Sequence, residues 1–144
     1  VRECFERFRV VGLYADPSGW TSQVAEWEAA FHARLRVKAS RNEPIAAWPR
    51  GKDSRVSEVV EKFRQAIVNG EVSMSDSPRL ISHMLHARRR DKRTGYLLYK
   101  AYPDSPDKID AAYAACMAFS ACIDAVAGGI GAKKKRKRTK AVFG

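Results

Sequence analysis

Two aspartates have the residue type and placement to do chemistry. Asp16 ends the apolar run Val10 to Ala15 and precedes Pro17-Ser18-Gly19. An acid between a strand and a turn stands where α/β sheets present ligand-binding groups. Asp110 lies in Lys108-Ile109-Asp110-Ala111-Ala112, in the first turns of a late helix, and shares a face with Tyr113, Ala114 and Met117. That face is expected to turn inward, and an inward carboxylate needs a partner, of which a metal ion is one. Paired oxygen donors suit a hard divalent cation, Mg²⁺ or Mn²⁺, and two-metal sites of this kind activate water and steady the leaving oxygen in phosphodiester cleavage. Each acid also has a plainer reading: Asp16 turning the chain before Pro17, and Asp110 favouring the positive end of the helix dipole.

Other residues carry weaker signals. His83 and His86 are three apart on a helix without the rest of a ligand set, which reads as a satisfied or surface pair. Trp20 and Trp27, seven apart, read as core rather than as a base-stacking platform. Arg88, Arg89 and Arg90, followed by Lys92 and Arg93, form a basic cluster at the expected end of a helix. They suit phosphate contact and a solvated helix end equally well. Lys133, Lys134, Lys135, Arg136, Lys137, Arg138 and Lys140 form a second cluster that would be drawn to any polyanion. Gly51-Lys52 is followed by Asp53, and Gly129-Ile130-Gly131 lacks the Gly-Lys-Ser/Thr ending, so neither is a phosphate-binding P-loop. Cys4, Cys116 and Cys122 cannot all pair and show no zinc spacing, which argues against a disulfide scaffold and a zinc module.

The elements that must position these groups follow from periodicity. The 144 residues carry a net charge of +11, which falls to +4 without the seven basic residues of 133 to 140. One domain over residues 1–130 and a disordered basic tail over 131–144 are expected. The apolar stretch Ile109 to Ile130 is Ala-rich and interrupted by Asp110 and Asp124, which argues against a membrane span. The opening Val1-Arg2-Glu3 leads almost at once into an amphipathic segment, so the chain reads as the C-terminal part of something longer. Residues 9–15 read as a buried central strand, Trp20 to Phe31 as a helix and 35–39 as a second strand, the outline of a β-α-β unit. A loop over 40–53 precedes a helix from Asp53 or Ser54 to Asn69-Gly70. Val72 to Met74 suggests an edge strand. A helix then enters at Ser77-Pro78, turns Leu80, Ile81, Met84 and Leu85 inward, and ends in the three arginines. Tyr96 to Lys100 reads as a strand, and the last helix runs from about Ser105-Pro106-Asp107 to Ala127, closing at Gly128-Gly129. Mixed strands and helices give an α/β or α+β fold class, α/β being the reading taken, with a sheet expected to continue in sequence not present here.

Taken together, Val10 to Trp20 with Trp27, Ile67-Val68-Asn69-Gly70 leading to His83 and Ala87-Arg88-Arg89-Arg90, and Lys108-Ile109-Asp110-Ala111-Ala112 resemble the C-terminal nuclease domain of tailed-phage terminase large subunits. The order and spacing match up to about Ala127. The resemblance implies a ribonuclease H-like fold, incomplete on its N-terminal side, and metal-dependent cutting of concatemeric viral DNA during packaging. It implies partners, namely double-stranded viral DNA, the portal and the small terminase subunit, and a setting in the host bacterial cytoplasm. Of the family's three metal-holding acids, Asp16 matches the second and Asp110 the third. The first would lie upstream with the ATPase motor, so that cutting by this segment alone is not expected. His86 departs from the family pattern, which has an amide residue there in many members. A noncatalytic DNA-binding remnant acting through the basic tail is the alternative.

Overall fold

A computed structural model describes residues 1–48 and 53–131. The tail lysines and arginines, Lys133 to Lys140, lie outside the described residues, as do residues 49–52 of the expected loop. The chain runs α1 (Arg2–Arg7), α2 (Thr21–Phe31), α3 (Asp53–Val68), α4 (Pro78–His86), β1 (Arg88–Lys92), β2 (Gly95–Tyr99) and α5 (Asp110–Ala127). Helix α4 starts where its signals stand: Ser77 Oγ accepts from the Leu80 N–H and Pro78 occupies the first turn, where its missing N–H costs nothing. After α3 the chain reverses at Gly70, whose φ of 70° is open to glycine without strain.

Helices α3 and α5 pack on one another and α3 on β2, while α4 lies against α5. The main core joins Val60 and Phe63 of α3, Tyr96 of β2 and Cys116, Met117, Ala121 and Ala125 of α5 to Tyr14, Val37 and Trp48. A second cluster holds Phe5, Val24, Phe31, Leu35 and Ile45, with the Phe5 and Phe31 rings stacked at 4.0 Å.

The sheet differs from the expected one. Among the described residues it is the antiparallel hairpin β1–β2, with Arg88 opposite Tyr99 and Lys92 opposite Gly95. The three arginines therefore form a strand and not a helix end. Helix α4 stops at His86, Ala87 turns to an extended ψ of 130°, and the arginines supply the ladder partner that Tyr96 to Tyr99 require. The expected β-α-β unit is not formed as a ladder. Residues 9–15 run extended, but Val11 C=O takes both the Arg36 and Val37 N–H groups, so 35–39 curls past instead of pairing in register. The neighbour that does pair is 45–47, expected to be loop: Ala15 N–H donates to Ile45 C=O, Ala47 N–H donates to Ala15 C=O, and the bridge is parallel. Glu28 holds its other side, one carboxylate oxygen accepting from both Ile45 and Ala46 N–H.

Three smaller corrections follow from local packing. Val72 to Met74 is not a strand. Ile81 and Leu85 are exposed, because α4 meets α5 through a narrower stripe that keeps Leu80 and Met84 partly covered. Helix α5 begins at Asp110, later than expected, since Ser105 is buried in a turn where its Oγ accepts from Asp107 N–H and its C=O from Lys100. This helix meets the length and composition of a membrane-crossing segment. One of its faces, carrying Ala112, Cys116 and Ala121, is buried in the core.

Candidate functional site

Asp16 and Asp110, 94 residues apart in sequence, line one open cavity of about 470 Å³. The extended run 9–15 delivers Asp16 to its rim at the turn into α2, and the first turn of α5 delivers Asp110. Both carboxylates are exposed. For Asp110 this corrects the expectation of an inward, buried acid. The covered face of α5 runs through Ala112, Cys116, Met117 and Ser120, and Asp110, at the first helical position, projects into the mouth of the cavity beside Tyr113 and Ala114. No buried charge here demands a counter-ion.

Both plainer roles are realised as well. Asp16 Oδ1 accepts from the Ser18 N–H at 2.8 Å, which closes a turn through the side chain. Asp110 stands in the first turn of an 18-residue helix, where a negative charge is favourable. The start of that helix is fixed from α4: His83 Nδ1 accepts from the Ala111 N–H at 3.0 Å, satisfying a backbone donor that has no partner within the helix. His83 is thus a positioning residue for Asp110, satisfied as expected of one member of the pair. Its neighbour His86 places Nε2 3.7 Å from Asp107, while its buried Nδ1 has no hydrogen-bond partner among the described residues.

Asp16 and Tyr113 also line a second depression of about 730 Å³, so they form the ridge between the two. Its walls carry Arg88, Arg89, Arg90 and Lys100 together with Tyr99 and Tyr102. The arginines are not equivalent. Arg89 Nε binds Asp91 at 2.7 Å and its guanidinium lies over Tyr96, so its charge is largely engaged. Arg88 donates to Leu85 C=O and Ala87 C=O at the end of α4. Arg90 sits over the Tyr99 ring at 4.7 Å and has no carboxylate partner among the described residues. Tyr113 is held on the ridge by its hydroxyl, which donates to Leu98 C=O, and burial raises that phenol to about 12.

The cavity holding the two acids is rich in aromatic residues, with Trp20, Trp27 and Trp48 beside aliphatic neighbours such as Leu13, Val24 and Met117. Trp48, which sequence reasoning did not single out, is its buried floor and meets Tyr113 edge-on at 5.9 Å. Trp27 is half-buried against the second core cluster, as expected, but Trp20 is 63% exposed and is not core. Hard oxygen donors facing open space fit a divalent cation in kind. In number they fall short of a complete set: among the described residues no three His, Cys, Asp or Glu side chains gather as metal ligands.

The chain is 34% identical over 122 residues to the "Gene 13 protein" of Mycobacterium phage D29, and equally to that of Mycobacterium phage L5. The alignments cover 84% of this chain and 20% and 21% of those proteins. The chain is therefore related to phage proteins and spans about one fifth of the length of these relatives. No family model matches it, and no solved structure does.

Proposed function

We propose that this relative of a long mycobacteriophage protein is part of the nuclease domain of a DNA-packaging terminase large subunit, cutting concatemeric viral DNA in the host cytoplasm with portal and small subunit as partners. The observation that carries the reading is the convergence of Asp16 and Asp110 on one cavity, across a shared ridge from the groove lined by Arg88, Arg90 and Lys100. Asp16 and Asp110 would hold a bound Mg²⁺ or Mn²⁺ with a third acid from elsewhere in the longer polypeptide. When bound, the cation activates a water and offsets charge on the leaving oxygen. This chain's own part is to aim two carboxylates at one space and hold a phosphate chain beside them. Arg90 and Lys100 attract the strand electrostatically, and Tyr113, fixed by Leu98, keeps the two depressions apart.

The shortage of ligands among the described residues also favours a second reading, a noncatalytic DNA-binding segment. One experiment separates them. In the full-length protein, Asp16→Asn and Asp110→Asn should each abolish metal-dependent cleavage of duplex DNA while leaving DNA affinity within about twofold, because neither touches a cationic contact. Cleavage unchanged in both variants would leave the noncatalytic reading.

A further inference from the structure

Trp20 serves neither core nor proposed metal site. It stands at the N-terminal cap position of α2, 63% exposed, on the rim of the cavity that Trp27, Trp48 and Tyr113 line with rings. Across the ridge of Asp16 and Tyr113 lies the groove with Arg88, Arg90 and Lys100. One side of the ridge carries three tryptophans, and the other adds three arginines and a lysine to Tyr99 and Tyr102. A nucleic-acid strand carries the matching pair at each nucleotide, an uncharged base face and an anionic phosphate, and stacking on aromatic side chains combined with a cationic track is how unpaired strands are held. In a duplex the base faces are covered by their neighbours, so only a base out of the stack can enter the aromatic side.

We infer that the cavity beside Asp16 receives one unpaired nucleobase, stacked on Trp20, while the adjoining phosphates lie in the arginine groove, so that the favoured substrate is DNA with a single-stranded or splayed segment. This rests on the DNA reading proposed above and narrows its substrate class. Asp16, on the ridge, then lies next to the backbone between base and phosphate.

The test uses this chain, its Trp20→Ala and Trp20→Phe variants, a single-stranded oligothymidylate carrying one aminopurine, and a fully paired hairpin. The exposed position of Trp20 means that circular dichroism should show all three proteins folded alike. Trp20→Ala should weaken binding of the single strand by about tenfold and of the hairpin by less than about twofold, as expected for loss of one stacked base. Quenching of aminopurine emission on binding should be lost in Trp20→Ala and largely kept in Trp20→Phe. Equal losses on both DNAs, or unchanged affinity and quenching in Trp20→Ala, would overturn the inference and leave the DNA reading in place. Failure of the unsubstituted chain to bind either DNA would remove both.

Discussion

Asparagine at position 16 keeps the side-chain oxygen that accepts from Ser18 N–H and discards only the charge. Asp16→Asn should therefore unfold at the same denaturant concentration as the parent, within about 0.5 kcal/mol. Asp16→Ala, which removes the acceptor, should be measurably less stable, so a cleavage defect in the asparagine variant reports charge and not folding. The cysteines allow a second check at this scale. Cys116 is 1% exposed and burial pushes its thiol up to about 12, whereas Cys4 and Cys122 are exposed. A thiolate is the nucleophile in alkylation, and Cys116 is neither ionised nor reachable. Mass spectrometry after iodoacetamide treatment should find Cys4 and Cys122 modified in the native protein and Cys116 only after denaturant is added; equal native labelling of Cys116 would contradict the packing of α5.

The hairpin is anchored to α3 through groups whose removal has calculable directions. Ser57 Oγ, buried, accepts from Tyr96 N–H at 2.8 Å, so Ser57→Ala leaves a buried donor unsatisfied and should cost about 1–3 kcal/mol in chemical unfolding. Gly95→Ala should be at least as harmful: φ is 127° there, and an added Cβ would run into Ser57 Oγ. On the exposed side Glu61 accepts from Arg64, from the Tyr96 hydroxyl and from Gln65, which lowers its carboxyl from 4.5 to about 2. A carboxylate depressed in the folded state contributes stability that is complete above its unfolded value and is lost as pH falls through the folded one. The melting temperature should thus decline between about pH 4.5 and 2, and Glu61→Gln should reduce that decline; an unaltered acid profile in the variant would remove Glu61 as its source.

At the scale of the whole molecule the charge is concentrated: seven of the 27 lysines and arginines fall within residues 133 to 140. Each phosphate neutralised adds about 0.9 to the slope of log affinity against log salt, so deleting residues 133–144 should flatten that slope by several units if the segment contacts DNA. Asp110→Asn should leave it nearly unchanged. A slope that survives the deletion would assign the phosphate contacts to Arg90, Lys100 and their neighbours. The prediction is independent of catalysis, and so serves a chain that spans about one fifth of its relatives' length.

Helices were legible in this sequence because their hydrogen bonds close within four residues and their burial repeats with the same period. Val60 and Phe63 marked α3, Ser77-Pro78 marked the start of α4, and Gly128-Gly129 the end of α5. The acids of the candidate site were legible as types near element ends, Asp16 after an apolar run and Asp110 in the first turns of a helix. Strand pairing was not, because a strand's hydrogen bonds go to residues that periodicity does not name. Arg88 to Arg90 reads as a helix end until Tyr96 to Tyr99 requires a partner, and 45–47 reads as loop until Ala15 pairs with it. The spacing of Trp20 and Trp27 likewise suggested two core residues. Only the packing of α2 on the second core cluster leaves Trp27 partly covered and Trp20, at the helix's N-terminal cap, in solvent at the cavity that Asp16 and Asp110 line.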